Sequence, residues 1–189
     1  MKAPSENDYG KHLYQELLAI RAKRGDKEAF EEIVQTFERP VFYYVRRLLE
    51  NDEDAWDVLQ QIWVKAFRGL GSLRETKRFR IWLYAIAHRT VMSHYRAAYR
   101  SQAVLEEAFG SEAAVEADAT PNPEDAERVH LALTQLDPDF RAVLTLRFLE
   151  HLSVDETAEI IGVPAGTVKS RLFHAKKALK KILSREDGI

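Results

Sequence analysis

The sequence contains no cysteine, and only eight glycines in 189 residues. Without cysteine there is no disulfide, no thiolate metal site and no cysteine nucleophile, a composition that fits a reducing cytosol. No apolar run approaches the roughly 18 residues of a membrane span. The opening MKAPSENDYGKH also lacks the apolar centre of a signal peptide. The expected location is the cytoplasm, with no direct membrane insertion. No glycine-rich phosphate loop and no G-x-S-x-G elbow occurs. The histidines at 12, 88, 94, 130, 151 and 174 form neither an H-x-x-x-H nor an H-E-x-x-H pair, so neither metal nor cofactor is expected. Acid pairs such as Glu31/Glu32 and Asp137/Asp139 read as solvated faces and caps, and no catalysis is expected. Period-two alternation of useful length is missing too, leaving an all-α chain.

What is present is charge, unevenly placed. The net charge of −2 sums three unlike segments: residues 1–100 hold 18 basic and 14 acidic side chains, 101–128 hold 1 and 8, and 129–189 hold 9 and 8. Within 65–100 there are nine basic residues against Glu75 alone, and from Lys169 to Arg185 seven against none. Two basic surfaces flanking an acidic segment point to two contacts with a polyanion.

Along the chain, residues 11–24 have helical spacing with Leu13, Leu17 and Ile20 on the inner side. Asp26 is placed to cap a second helix, burying Phe30, Ile33, Val34 and Phe37 until Pro40 interrupts it. A further helix carries Val41, Phe42, Val45, Leu48 and Leu49. Asn51 and Asp54 set up the next, whose stripe is Ala55, Val58, Leu59, Ile62 and Ala66 and whose end is marked by Gly69 and Gly71. GSLRETKR reads as a loop, and a helix returns from Phe79 to Tyr99 with Leu83, Ile86 and Ala87 inward. Residues 101–127, rich in Ala and Glu with Pro121 and Pro123, read as a flexible acidic linker. Val129, Leu131 and Leu133 open a second small domain, in which Asp137 and Pro138 start a helix with Phe140, Val143, Leu144, Leu146 and Phe148. The expected division is therefore an N-terminal segment and first helix over 1–25, a helical domain over 26–100, the linker over 101–127 and a second helical domain over 128–185.

The most specific segment is LSVDETAEIIGVPAGTVKSRLFHAKKALKKI, residues 152–182. Ser153 and Glu156 form an S-x-x-E capping box, Gly162 supplies a left-handed stop, and Pro164 falls in the first turn of a second helix. That helix buries Val168, Leu172, Ala175, Leu179 and Ile182 and offers Lys169, Ser170, Phe173, His174 and Lys177 on its other face. A short helix, a tight turn and a basic second helix describe a helix-turn-helix whose second member can enter a DNA major groove; the weaker alternative is a surface helical hairpin with a solvated lysine face. In FRIWLYAIAHRTVMSHYRAAYR, residues 79–100, Phe79, Trp82, Tyr84, Tyr95 and Tyr99 interleave with Arg80, Arg89, Arg96 and Arg100. Such a pattern suits phosphate contacts and stacking on unpaired bases, the alternative being that Trp82 and Tyr84 are core. In DAWDVLQQIWVKAF, residues 54–67, Asp57, Gln60, Gln61 and Trp63 fall off the buried stripe and suit a protein interface, Trp63 being either its anchor or partly buried.

The whole pattern from about residue 26 to 183 resembles the bacterial RNA polymerase sigma factors of the extracytoplasmic-function (ECF) class, group 4 of the sigma-70 family. LRFLEHLSVDETAEIIGVPAGTVKSRLFHAKKAL resembles region 4, and DVLQQIWVKAFRGLGSLRETKRFRIWLYAIAHR resembles region 2. The resemblance implies two helical domains on a flexible acidic tether. Its implied partners are core RNA polymerase, promoter DNA and an anti-sigma factor that can hold the protein at the inner membrane. It implies docking of Asp57, Gln60, Gln61 and Trp63 on the β′ clamp helices. Contacts to the −10 element are implied for Arg74, Lys77, Arg78, Phe79, Arg80, Trp82, Arg89, Arg96 and Arg100. Contacts to the −35 element are implied for Gly166, Thr167, Lys169, Ser170, Arg171, Phe173, His174 and Lys177. Arg89 and Ser93 stand where relatives more usually show Asn and Asp, and His174 where an arginine, a bidentate partner for guanine, is common. A LuxR-like regulator with a helical N-terminal domain is the alternative from the helix-turn-helix alone, and a helical interaction module with merely solubilising basic faces is a third.

Overall fold

The computed structural model describes residues 6–49, 51–106, 129 and 131–186, with side chains described over 10–49, 51–97, 129 and 131–184. Among them every regular element is helical. Helix α1 spans Glu6–Lys23, α2 Lys27–Arg46 and α3 Asp52–Gly69; two 3₁₀ turns, Leu70–Ser72 and Thr76–Arg78, lead into α4, Phe79–Glu106. After a helical turn at 131–134 come α5, Pro138–Leu144, which widens into a π turn over Thr145–Leu149, then α6, Val154–Ile161, and α7, Ala165–Glu186. The acidic stretch expected as a tether lies, from 107 on, outside the described residues.

Local sequence sets most helix ends. The Asp26 carboxylate accepts from the Ala29 N–H at 3.0 Å, and the Asn51 side chain accepts from the Glu53 N–H at 2.8 Å. At α6 the capping box closes in both directions: the Glu156 N–H donates to Ser153 Oγ at 3.1 Å, and the Ser153 N–H donates to the Glu156 carboxylate at 2.7 Å. Two boundaries differ from expectation. Pro164 precedes α7 instead of lying in its first turn; its carbonyl accepts from the Thr167 and Val168 N–H groups at 2.9 and 3.2 Å. Helix α4 also runs past Tyr99 to Glu106.

Pro40 does not interrupt its helix. Ala29, Ile33, Phe37, Val41, Tyr44 and Val45 form one buried stripe that keeps its phase across the proline. Burying large apolar side chains, at roughly 1.5–3 kcal/mol each, outweighs the ~3 kcal/mol that an interior proline costs. Helix α1 is turned the other way from its expected face. Leu13 and Leu17 are 59% and 49% exposed, whereas Leu18 and Ala19 are buried against α2. Gln15, Leu18, Ala19 and Ala22 have helical spacing too, so periodicity alone cannot choose. The face with the small residues Ala19 and Ala22 lets the backbones approach. Val129, Leu131 and Phe148 likewise point outward, and Ala132, Leu133 and Leu136 supply the inner side.

The segment expected as a loop, 71–78, is held in two 3₁₀ turns braced by α1. Lys23 Nζ donates to the Leu73 carbonyl at 2.6 Å, and Thr76 Oγ1 donates to Glu16 at 3.4 Å. Two buried apolar clusters follow the two domains. One gathers α1 to α4; the other holds Leu133, Leu136, Val143, Leu144, Ala158, Val168, Leu172 and Ala175. They abut, because Ala142, Leu146, Leu152 and Ile160 of the second domain are buried in the first cluster.

Two residues in the second domain take positive φ for opposite reasons. Gly162 ends α6 at φ 77°, with no atom within 4 Å of where a Cβ would stand; His151 sits at φ 54°, the one non-glycine residue to do so among the described residues. Gly162→Ala should therefore lower stability by about 1–2 kcal/mol through backbone strain alone. His151→Gly should be neutral or slightly stabilising. Urea unfolding of both variants checks this, and equal losses at the two positions would contradict it.

Candidate nucleic-acid and protein interfaces

Three surfaces carry the residues singled out by the sequence. The first is the outer face of α3. Its inner stripe, Ala55, Val58, Leu59, Ile62 and Ala66, is buried, which leaves Asp57, Gln60 and Gln61 exposed together. Trp63 is only partly exposed: its ring meets Phe30 edge-on at 6.3 Å and packs against the core. The exposed tryptophan of this face is Trp56, which is 49% exposed and stacked on Phe42 at 4.2 Å. Val64 and Phe67 of the same helix are exposed too. These three escaped the sequence reading, although the signal was there: large apolar residues at 56, 64 and 67 lie off the buried stripe of their own helix.

The second surface runs along the 3₁₀ turns and the outer side of α4. Arg74, Lys77, Arg78, Arg89 and Arg96 are exposed; the side chain of Arg100 lies outside the described residues. The aromatic residues divide. Tyr84 is fully buried, and Phe79, 2% exposed, is wedged between Phe37 and Trp82 at centroid distances of 5.5 and 5.7 Å. Both are core in this arrangement, because they fall on the inward side of α4. Trp82 stays half-buried and lines a cleft of about 430 Å³ with Lys65, Gly69, Ser72, Arg89, Thr90 and Ser93. Lys65 Nζ donates to Thr90 Oγ1 at 3.1 Å on one wall, and Arg89 Nε donates to the Ala85 carbonyl at 3.0 Å. Gly69 lets α3 approach the Trp82 ring closely: a Cβ there would stand 3.3 Å from it, and the indole would have to shift by a few tenths of an ångström. The cleft thus joins an aromatic wall to two cations and several hydroxyls, a donor set suited to an unpaired base and its phosphate.

The cationic field of this surface reaches into the core. His88, 5% exposed, is hydrogen-bonded through Nδ1 to the Tyr44 hydroxyl at 2.9 Å. Its pKa is pushed down to about 4, by burial first and then by the charges of Arg171, Arg96 and Arg89.

The third surface is the helix-turn-helix of α6 and α7. Val168, Leu172 and Ala175 anchor α7 inward, so Lys169, Ser170, Phe173, His174 and Lys177 share its exposed side. Phe173 is 64% exposed and meets the His174 ring edge-on at 5.3 Å. Gly166 lies exposed in the first turn with open space around it, and Thr167 is half-buried next to it. Arg171 is placed differently: it flanks the buried stripe and its guanidinium is held by Asp139 at 2.6 Å.

Arg78, which ends the second 3₁₀ turn, and Arg80, in the first turn of α4, are also engaged by the second domain. Arg78 pairs with Glu159 of α6. Arg80 donates to the Glu150 carbonyl at 2.6 Å and lies 3.3 Å from its carboxylate, which also accepts from the Tyr84 hydroxyl. Among the described residues no cluster of three or more potential metal-ligating side chains occurs, and no helix is long and apolar enough to cross a membrane.

The family Sigma-70 region 2 matches residues 33–101, and Sigma-70, region 4 matches residues 126–179. Among curated relatives, the RNA polymerase sigma-H factor of Pseudomonas aeruginosa is 35% identical over 177 residues, covering 88% of this chain and 92% of the relative. The ECF RNA polymerase sigma-E factor of Escherichia coli K12 is 33% identical over 178 residues, covering 88% and 93%. Among solved structures, CnrH in complex with the cytosolic domain of CnrY superposes with a TM-score of 0.70 at 23% identity, over 91% of this chain and 98% of that one. The sigma factor RpoE of Bartonella quintana, in complex with the anti-sigma factor NepR, gives 0.71 at 22%, over 82% and 96%. These two share the fold.

Stability should respond to the His88 environment. Unfolded, the imidazole titrates near 6.5; folded, it stays neutral down to about 4. Between those values the unfolded state binds more protons, so stability falls as pH falls through that window. The loss is on the order of 3 kcal/mol, at about 1.4 kcal/mol per pH unit. Urea melts from pH 7 to 4 should show this slope, and His88→Gln should flatten it; an unchanged slope in the variant would place the acid sensitivity elsewhere.

Proposed function

The chain belongs to the extracytoplasmic-function class of the sigma-70 family, and we propose from that membership how its surfaces divide promoter recognition. It is an alternative sigma factor that directs promoter-specific transcription initiation, and not an enzyme. Region 2 lies ahead of region 4 in one chain, an order that does not favour a LuxR-like regulator.

The outer face of α3 docks on core RNA polymerase, at the β′ clamp helices, through Asp57, Gln60 and Gln61, with Trp56 rather than Trp63 as its aromatic anchor. The half-exposed stack of Trp56 on Phe42 supports that choice. The cleft between α3 and α4 receives a −10 base that has left the duplex: Trp82 offers a face, Lys65 and Arg89 offer cations, and Ser72 and Ser93 offer hydroxyls. Arg74, Lys77, Arg78, Arg80, Arg96 and Arg100 supply phosphate contacts, and Phe79 acts by holding Trp82 in place. The −35 element is read by α7. Lys169, Ser170, Phe173, His174 and Lys177 face the major groove, Gly166 and Thr167 meet a phosphate at the helix N-terminus, and Arg171 orients the helix through Asp139. The observation that carries this reading is the coincidence of a cation-lined aromatic cleft in the region 2 match with an exposed basic face on the second helix of the region 4 match.

We further propose domain limits of 26–100 and 128–185, with the acidic 101–127 as tether between them and 1–25 packed on the first. Each domain alone binds weakly, and the tether raises the effective concentration of one half-site once the other is held. The location is cytoplasmic. An anti-sigma factor is the regulatory partner, on the strength of two related folds solved in complex with CnrY and NepR; a membrane-bound one would hold the factor at the inner membrane.

In vitro transcription with core polymerase on a randomised promoter library tests the function directly; no promoter-dependent initiation would remove it. Lys169→Ala should weaken duplex binding about tenfold and lower the salt slope by about one ion, while Arg89→Ala should impair binding to a pre-melted −10 segment more than to intact duplex. Indifference of −35 use to Lys169→Ala would refute the recognition-helix assignment.

A further inference from the structure

A cavity of about 510 Å³ lies between α1, α2, α4 and the residues that follow the π turn; of the side chains assigned to promoter contacts it includes only Arg80. That volume falls within the roughly 300–1,000 Å³ of small-molecule sites and exceeds what one ion fills. Two polar groups on its walls are left unpaired by the fold. Gln15 of α1 is 8% exposed, and its amide makes no hydrogen bond among the described residues. The second group is the carbonyl of Thr36 on α2. Pro40, one helical turn on, has no N–H to donate to it. A buried amide without a partner is costly, and both groups belong to the same cavity. Phe37 and Pro40 supply its apolar wall.

The rim is cationic. Lys11, His12 and His151 are exposed there and form no ion pair among the described residues. His151 stands at φ 54°, a conformation that glycine would take at less cost, so the turn keeps an imidazole at the rim against local backbone preference. Behind it, Arg80 and Tyr84 donate to Glu150. Lys11 and Arg80 therefore face a single carboxylate, and the net charge favours an anion.

We propose that this cavity binds an adenine nucleotide of monophosphate size. The amino group of adenine has two hydrogens, one for the Gln15 amide oxygen and one for the Thr36 carbonyl, and N7 accepts from the Gln15 amide nitrogen. The phosphate meets the Lys11 ammonium and the ring N–H groups of His12 and His151. Guanine offers acceptors at both O6 and N7, which leaves the Gln15 oxygen and the Thr36 carbonyl unpaired. The site thus separates the two purines, and inorganic phosphate satisfies neither wall group.

Calorimetric titration of the full chain with AMP, GMP, IMP and inorganic phosphate tests this. AMP should bind one to one, at least about tenfold more tightly than GMP or IMP, because a site built around a hydrogen bond rejects the analogue that cannot make it. Phosphate should bind more weakly than any of the three. Gln15→Leu removes the amide at similar volume and should lower AMP to the level of GMP. Lys11→Ala combined with His151→Gly should weaken AMP and GMP alike, by about tenfold, and keep the preference. Equal affinity for AMP and GMP, or an AMP preference that survives Gln15→Leu, would overturn the adenine assignment. AMP binding indifferent to the rim variant, or no binding at millimolar AMP, would overturn the site itself. Should Gln15→Leu lower the melting temperature, AMP against IMP on the wild type keeps the test: the two differ at the atom that meets the Thr36 carbonyl, and equal affinity would overturn the proposal. Promoter-dependent initiation is measured separately, so its presence or absence leaves this test standing.

Discussion

The structure depends on the inward anchoring of α4. Leu83, Tyr84, Ala87 and Val91 are buried along its length, and this burial allows the other side of the same helix to carry arginines with no acid nearby in sequence. A helix so cationic gains little from its own side-chain pairs; it is held by packing against α2 and α3, and region 4 adds to the same cluster. His88 shows the strain between the two sides, since a buried imidazole within reach of three guanidiniums remains neutral. The cationic face of α4 is thus the outer skin of the main core.

Where local chemistry decides, the sequence was legible. The capping box at Ser153, the left-handed stop at Gly162, the caps at Asp26 and Asn51, and the inner faces of α3 and α7 all follow from residues close in sequence. Where a choice lay between two equally periodic faces, it was not. Leu13, Leu17 and Ile20 form as good a stripe on α1 as Leu18, Ala19 and Ala22, and only the proximity of α2 settles which one is buried. Pro40 misled for a related reason: the penalty is local, while the stripe that overrides it spans five helical turns and draws its energy from other helices.

The candidate surfaces split along the same line. The exposed row on α7 was readable because its buried partners alternate with it at fixed spacing. In the aromatic-laced segment 79–100, composition showed rings and arginines together but not which rings face the core; Phe79 and Tyr84 do, and Trp82 only in part. The engagement of Arg78 and Arg80 by Glu159 and Glu150 bridges 81 and 70 residues of sequence. No local pattern could have revealed that pairing.

Gly69 carries a consequence of a different kind. It closes no turn of unusual φ, yet a Cβ on it would stand 3.3 Å from the indole of Trp82, closer than ordinary contact. Position 69 therefore acts as a spacer gauge: its side-chain volume sets how far the tryptophan retreats toward α3, and so the width of the slot beside it. Homologous chains with a larger residue at this place would have a narrower slot lined by the same chemical groups.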